Sequence, residues 1–296
     1  MTTSTATAGS AAHPGFAVER IRTGDITTEY LDSGGDGDVV LLLHGGGPGA
    51  NARTNWQGFI PGLSDRYRVI APDIFGWGNT DHPAEGEAPG SKTAWMRARV
   101  NQILALLDAL GIDRVRLVGN SAGGALSLWI TVTAPERVED IVLMGSAGGK
   151  MAAPPTEVIR MVSFYKDPTQ ANLEALTRWF VYDESTLGSS IEDIVEDRFA
   201  EVSRPEIRRS FTSMYATPTS PAEMTLPLSA LVRIKHKVLL VHGREDRFIT
   251  PDSSVYFNGL LENSQLHIFE KCGHWVQIER RDGMLALVRS FFGGEL

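Results

Sequence analysis

The chain has 296 residues, of which 42% are hydrophobic and 22% are charged, a balance that is ordinary for a globular protein. No apolar run approaches the roughly 18 residues of a membrane-spanning helix, and a net charge of −8 disfavours binding to the phosphates of nucleic acid. A single cysteine, Cys272, excludes an internal disulfide and a thiolate metal site, which fits a reducing cytoplasm.

The order of predicted elements indicates an α/β fold. Residues 1–14 are rich in small and polar residues without the parts of a signal peptide, so we expect a disordered tail. Residues 16–31 alternate loosely and predict a hairpin. Continuous apolar runs, typical of strands buried on both faces of a parallel sheet, follow at residues 39–43, 67–71, 114–118, 141–144, 238–241 and 266–269. Helical spacing at residues 92–110 and 282–292 completes a mostly parallel sheet with helices on both faces.

Residues 146–225 differ from the rest of the chain. They contain no strand-like run but four segments at helical spacing, separated by Pro and Gly. We predict that Asp167 and Pro168 open one of these helices and that Ser189 and Glu192 form a capping box for another. The pattern therefore predicts a helical lid at residues 146–225, inserted into a core of residues 15–145 and 226–296.

The stretch around Ser121 organises the prediction of function. The strand at residues 114–118 runs into the sequence GNSAGG at residues 119–124, and an apolar helix follows. This is the pattern of a nucleophile elbow, a sharp turn that exposes a serine hydroxyl above the sheet. Gly119 and Gly123 suit such a turn, because strand and helix approach each other closely there. The alternative is a serine in a purely structural turn.

A serine nucleophile needs a base and an acid that orients the base. His274 lies in a turn just past the last predicted strand, and Asp246 lies just past the strand before it. Both are therefore expected at the carboxyl edge of the sheet, where catalytic groups gather. The order Ser121, Asp246, His274 is that of the α/β-hydrolase fold. Glu245 is the alternative acid, and the other histidines are interpreted as structural.

The glycine-rich sequence HGGGPGA at residues 44–50 suggests an oxyanion hole. One backbone N–H of this loop and the N–H of Ala122 are the expected donors to the oxyanion. We expect His44 to shape the loop by hydrogen bonding. The loop matches neither a P-loop nor a dinucleotide-binding fingerprint, and no set of residues has metal-ligand spacing. We therefore expect neither a cofactor nor a metal.

Four motifs together resemble those of the meta-cleavage product hydrolases. They are HGGGPGA at residues 44–50, GNSAGG at 119–124, GREDRF at 243–248 and CGHW at 272–275. These α/β-hydrolases cut a C–C bond in 2-hydroxy-6-oxo-hexa-2,4-dienoates. The resemblance implies a cofactor-free hydrolysis that gives 2-hydroxypenta-2,4-dienoate and a carboxylic acid. It also implies a small anionic substrate and a cytoplasmic homo-oligomer, a dimer or larger.

The resemblance further implies roles for particular residues. Ser121, Asp246 and His274 would form the triad, and Gly46 with Ala122 the oxyanion hole. Substrate-binding positions would be Gly45, Asn55, Asn120, Arg198, Phe248 and Trp275. Arg198 would bind the substrate carboxylate; its alternative is an ion pair with Glu196 or Glu201 on a solvated helix face. Asn55 could serve the loop instead, and Trp275 could serve packing. Ala122 stands where many members have a larger residue, which would widen the pocket.

Three other functions remain open from the sequence. The same triad would serve a carboxylesterase or lactonase. A proline iminopeptidase also has a glycine-rich loop of this kind, but its nucleophile motif normally carries tryptophan after the serine. A catalytically silent binding protein of the same fold is the third alternative, which an intact triad disfavours.

Overall fold

The computed structural model describes residues 15–151, 153–216 and 226–296. The predicted tail, residues 1–14, and residues 217–225 of the predicted lid lie outside the described residues.

A single eight-stranded sheet forms the centre of the described structure. Its strands are β1 (Ala17–Thr23), β2 (Ile26–Asp32), β3 (Val39–Leu43), β4 (Arg68–Pro72), β5 (Val115–Asn120), β6 (Val138–Met144), β7 (Lys237–Gly243) and β8 (Ser264–Phe269). They lie in the order β1-β2-β4-β3-β5-β6-β7-β8. Strand β2 pairs antiparallel with both β1 and β4. The other strand pairs are parallel. The predicted hairpin and mostly parallel sheet are confirmed.

Helices cover both faces of this sheet. The helices are α1 (Ala52–Trp56), α2 (Lys92–Ala109), α3 (Ala122–Thr133), α4 (Thr156–Val162), α5 (Gln170–Phe180), α6 (Ile191–Val202), α7 (Pro205–Tyr215), α8 (Leu228–Leu231), α9 (Asp252–Asn258), α10 (Val276–Glu279) and α11 (Arg281–Phe292). No helix of the described residues is long and apolar enough to span a membrane.

The alternation of side chains along the central strands explains their continuous apolar sequence. Leu41 and Leu43 of β3 join the apolar cluster that includes residues of α2 and α3. Val40 and Leu42 join the opposite cluster, with residues of α1 and α11. Each strand residue therefore has an apolar layer to pack against, as expected for a parallel sheet. The prediction of a buried strand at residues 266–269 is wrong, because β8 is an edge strand and Ile268 is 39% exposed.

Helices α4 to α7 lie between β6 and β7 in the chain and have a small apolar core of their own, which includes Phe164, Leu176 and Val195. The predicted starts of two of these helices are displaced by one or two residues. The side chain of Thr169 accepts the N–H of Asn172 at α5, and that of Ser190 accepts the N–H of Asp193 at α6. The N-caps are therefore Thr169 and Ser190, in place of the predicted start at Asp167 and Pro168 and the predicted cap Ser189.

Candidate active site

The turn from β5 to α3 places Ser121 at its apex. Ser121 has φ 54° and ψ −114°, a backbone conformation that residues other than glycine rarely adopt. Its N–H donates to Met144 O at 2.9 Å, which fixes the turn against the end of β6. A Cβ atom at Gly119 or Gly123 would clash with backbone atoms of the turn or of β3. The two glycines therefore allow the close approach that a nucleophile elbow requires.

Asp246 and His274 form a buried hydrogen-bonded pair. His274 Nδ1 lies 2.6 Å from Asp246 Oδ2, and the two residues are 3% and 5% exposed, respectively. Asp246 Oδ1 accepts the N–H groups of Phe248 at 2.8 Å and Ile249 at 3.0 Å. Burial alone would raise the pKa of Asp246. The charge of His274 and the hydrogen bonds from His242 and His274 outweigh burial and hold the pKa of Asp246 below its ordinary value. The carboxylate is thus ionised and can orient the imidazole.

Glu245, the alternative acid, has a different position. Its Oε2 accepts the N–H of Cys272 at 2.9 Å, and its Oε1 accepts a hydrogen bond from Arg244 at 3.0 Å. Glu245 therefore holds the backbone of the turn that carries His274. Asp246 forms the hydrogen bond to the imidazole of His274.

A second histidine, His242, also contacts the acid. His242 Nε2 lies 2.7 Å from Ile249 O and 3.3 Å from Asp246 Oδ2, and its Nδ1 lies 2.7 Å from Ser254 Oγ. Because both neighbours of Nε2 are acceptors, Nε2 carries the hydrogen and Nδ1 accepts the Ser254 hydroxyl. His242 thereby orients Asp246 from behind. The sequence predicted only a structural role for His242, although its position at the end of β7, four residues before Asp246, was a usable signal for this contact.

Gly145 connects the serine turn with the acid and base. It follows Met144, the residue that accepts the N–H of Ser121, and its φ is 49°. A Cβ atom at position 145 would lie 3.2 Å from both His274 Nδ1 and Asp246 Oδ2. One short backbone segment at the carboxyl end of β6, Met144 and Gly145, therefore bonds the Ser121 turn and lies beside the His274 ring.

The glycine-rich loop after β3 is held by His44. His44 Nε2 accepts the N–H of Ile74 at 3.0 Å, so Nδ1 carries the hydrogen and donates to Gly45 O at 2.7 Å. Burial lowers the pKa of His44 to about 4, which keeps the ring neutral at neutral pH. The prediction that His44 shapes this loop is confirmed.

The loop brings Gly46 against Ala122. A Cβ atom at Gly46 would lie 3.1 Å from Ala122 Cβ, whereas one at Gly45 would lie 3.5 Å from Ser121 Cβ. Asn55 Oδ1 lies 3.5 Å from Gly45 N, and Asn55 Nδ2 donates to Asn51 O at 2.9 Å. The two backbone segments expected to form the oxyanion hole are therefore adjacent, and Asn55 helps to position one of them.

Arg198 of α6 is buried beside the same loop. It is 3% exposed, and its Nε and Nη2 donate to Pro48 O at 3.0 and 2.6 Å. Its guanidinium lies 5.3 Å from the centre of the Trp275 ring. Burial lowers its pKa to about 10, so it stays charged at neutral pH. The alternative of a solvated ion pair with Glu196 or Glu201 is wrong, because no carboxylate of the described residues pairs with Arg198.

Aromatic side chains pack the end of helix α5 against the turn of His274. Phe180 of α5 stacks on Phe248 at 4.0 Å and on Trp275 at 4.9 Å between ring centres. Phe180 O accepts the N–H of His274 at 2.7 Å. Glu279 also accepts the N–H groups of Tyr182 and Gly273, both at 2.7 Å. Phe180 and Glu279 were not predicted as site residues; an acidic residue four positions after Trp275 was a usable signal for the second.

A cavity of about 690 Å³ lies between helix α6 and the segment of α10 and α11, with residues of α1 in its wall. Of the predicted binding residues, Asn55, Arg198 and Trp275 line it. Gln277 lines it as well, and neither polar atom of its side chain has a hydrogen-bond partner among the described residues. Asn120 and Phe248 are 1% exposed and brace the site, since Asn120 Nδ2 donates to Met144 O. The described residues contain no cluster of three or more metal-ligand side chains.

Comparisons with known proteins agree with this geometry. The family model of the alpha/beta hydrolase fold matches residues 38–281. A 2-hydroxy-6-oxo-2,4-heptadienoate hydrolase from Pseudomonas putida is 39% identical over 93% of this chain and 96% of its own length. Among solved structures, the 2-hydroxy-6-oxo-6-phenylhexa-2,4-dienoate hydrolase from Rhodococcus sp. strain RHA1 has a TM-score of 0.89 at 38% identity, covering 94% of this chain and 98% of that one. The meta-cleavage product hydrolase from Pseudomonas fluorescens IP01 has a TM-score of 0.83 at 34% identity, covering 94% and 98%.

Proposed function

Because the chain belongs to the α/β-hydrolase family and, within it, to the meta-cleavage product hydrolases, we propose that it hydrolyses the C5–C6 bond of a 2-hydroxy-6-oxo-hexa-2,4-dienoate. The products are 2-hydroxypenta-2,4-dienoate and a carboxylic acid. Ser121 is the nucleophile, His274 the general base and Asp246 the residue that orients it. Helices α4 to α7 act as the lid over the substrate.

The reaction begins with a proton transfer within the substrate. The 2-hydroxyl loses its proton and C5 gains one, which gives a ketone at C2 and a CH₂ group at C5. His274 assists this transfer. The keto tautomer makes the later step possible, because the C2 carbonyl can accept the electrons of the breaking bond.

Bond cleavage follows the logic of acyl transfer. His274 removes the proton of Ser121 Oγ as this oxygen bonds to the C6 carbonyl carbon, and the N–H groups of Gly46 and Ala122 stabilise the oxyanion. When the intermediate collapses, the C5–C6 electrons pass through the C3–C4 double bond to the C2 oxygen. The resulting dienolate takes up the proton that Ser121 lost. Water then attacks the acyl-serine with His274 as base, and the acid is released.

Arg198 is the observation that carries the substrate assignment. A dienoate retains its C1 carboxylate throughout the reaction, and a protein of net charge −8 needs a local cation to bind it. Arg198 is a buried guanidinium at the wall of the cavity beside the glycine loop, and it pairs with no carboxylate of the described residues. Gln277 adds unsatisfied polar atoms to the same wall. An ester hydrolase for neutral substrates would have no use for this cation.

Absorbance measurements test the proposal. We expect the protein to bleach a panel of yellow 2-hydroxy-6-oxo-dienoates and to form 2-hydroxypenta-2,4-dienoate with the matching acid. Cleavage of a p-nitrophenyl ester without loss of any dienoate would instead support the esterase. A cytoplasmic location and a homo-oligomer remain predictions, and size-exclusion chromatography with light scattering measures the second.

A further inference from the structure

A second, smaller cavity lies beside the turn that carries Ser121. It measures about 70 Å³ and is lined by Ala122, Ala147, Trp77, Trp95, Arg99 and Met214 among others. Ala122 follows the nucleophile, and Ala147 donates its N–H to Ser121 O at 3.0 Å. The cavity thus begins at the serine turn and extends away from it between α2 and the end of α7. Because Ala122 lines this space, a larger side chain at position 122 would fill it.

Two cationic residues, Lys92 and Arg99, line this mostly apolar space, and Arg99 is the buried one. Its side chain belongs to the buried face of α2, one turn after Trp95 and one turn before Ile103. Arg99 Nε donates to Phe75 O at 3.2 Å, and its guanidinium lies 4.1 Å from the Trp77 ring centre and 5.0 Å from that of Trp95. Arg99 forms no ion pair with a described carboxylate and is only 8% exposed.

A buried guanidinium without an anion is costly, and aromatic contacts offset only part of that cost. Burial lowers the pKa of Arg99 to about 9, so the group is still charged at neutral pH. A bound carboxylate would complete the pairing, as the substrate's C1 carboxylate does for Arg198 at the other end of the site. Of the buried arginines among the described residues, Arg99 and Arg198 form no ion pair, and each lies at the wall of one cavity.

We propose that the small cavity receives the far end of the acyl group that Ser121 attacks, and that Arg99 selects an acyl group ending in a carboxylate. The inference rests on the proposed function and narrows its substrate to a dienedioate, which carries one carboxylate at Arg198 and a second at Arg99. The C–C bond cleaved is unchanged, and the acid released is a dicarboxylic acid.

The volume of the cavity limits the length of this acyl group. A cavity of about 150 Å³ holds benzene, with six carbon atoms, so 70 Å³ accommodates about three non-hydrogen atoms. A carboxylate group has three. The methylenes next to the reacting ketone stay at Ala122, which makes the short succinyl group a match. A phenyl group exceeds this space.

The test compares two substrates that differ in one terminal group. 2-Hydroxy-6-oxonona-2,4-dienedioate ends in a carboxylate, and 2-hydroxy-6-oxo-9-methyldeca-2,4-dienoate ends in an isopropyl group of the same shape. We expect kcat/KM to favour the dienedioate at least tenfold in the unmodified protein. Arg99→Gln should reduce this ratio at least tenfold, and Arg99→Lys should restore part of it. Arg97→Gln, an exposed position on the same helix, is the matched control and should keep the ratio.

The outcomes separate this inference from the proposed function. p-Nitrophenyl hydrogen succinate and p-nitrophenyl 4-methylpentanoate deliver the same two acyl groups to Ser121 without a dienoate. If the protein prefers the succinate ester but cleaves no dienoate, the acyl site is supported and the proposed function fails. A preference for the isopropyl group, or an equal loss on both substrates in Arg99→Gln, would overturn the inference and leave Arg99 as a support for the Phe75 loop.

A measurement on the unmodified protein covers the case in which Arg99→Gln does not fold. The acid product should itself inhibit by occupying the acyl site. We expect the inhibition constant of succinate to be at least tenfold lower than that of 4-methylpentanoate. Equal constants, or stronger inhibition by 4-methylpentanoate, would overturn the inference.

Discussion

Replacement of Arg198 by glutamine distinguishes a carboxylate-binding role from a structural one. Arg198 is 3% exposed, and both of its hydrogen bonds to described residues go to Pro48 O. Glutamine retains a donor for Pro48 but removes the positive charge. Removal of the buried cationic partner of a bound carboxylate weakens binding by roughly 2–5 kcal/mol. We therefore expect kcat/KM for a dienoate to fall roughly 30-fold to 4,000-fold, at about 1.4 kcal/mol for each tenfold.

The assay pairs that dienoate with p-nitrophenyl acetate, a neutral ester that offers no carboxylate to Arg198. The ester should lose much less activity than the dienoate, because Ser121, His274 and the oxyanion hole remain. Arg208→Gln, at an exposed position on α7, is the matched control for loss of one positive charge from the lid. Equal losses on the two substrates would show that Arg198 only supports the Pro48 loop. No loss on either would refute carboxylate binding by this residue.

Three further predictions concern chemistry, the lid and pH. Ser121→Ala should lower turnover by about 10⁴-fold or more while the yellow substrate still binds, as stopped-flow absorbance will show; turnover within tenfold of the unmodified protein would remove Ser121 as nucleophile. Glu279→Gln should weaken the bonds to Tyr182 and Gly273 and cost about 2 kcal/mol, or roughly 3 °C in Tm for a chain of this length, and an unchanged Tm would contradict that role. The pKa of His44 is about 4 in the folded protein and 6.5 ordinarily. As the pH falls, the imidazole is therefore protonated in the unfolded chain before it is protonated in the folded protein. The free energy of unfolding should fall by about 3 kcal/mol as the pH drops from 6.5 to 4. His44→Asn should flatten this part of the denaturation profile, and an identical slope would count against the assignment.

Much of the fold was predictable because its signals are local. A strand buried on both faces must be apolar at consecutive positions, so the runs at β3, β5 and β7 were visible without knowledge of their neighbours. The turn at Ser121 was equally visible, since its backbone conformation and close packing need glycine at fixed offsets. His274 and Asp246 could be placed at one edge because each follows a parallel strand.

Distinctions between neighbouring residues needed the tertiary structure. Glu245 and Asp246 are adjacent and chemically alike, and only the folded turn shows that Asp246 bonds the imidazole while Glu245 bonds the backbone of Cys272. The edge position of β8 was hidden for a similar reason, since an apolar sequence does not reveal whether another strand lies beside it.

The surroundings of Arg99 and Arg198 could not be predicted from nearby residues in the sequence. Helical spacing alone places Arg99 on the buried face of α2, with Trp95 and Ile103. It does not reveal that Met214 and Phe75 meet the guanidinium there, because these residues lie 115 and 24 positions away along the chain. Arg198 likewise meets Pro48 across 150 positions. Which segments form strands, turns and helices depends on residues a few positions apart, so these elements could be predicted from the sequence. Which charges are buried and what they contact depends on the packing of distant segments, which only the folded structure shows.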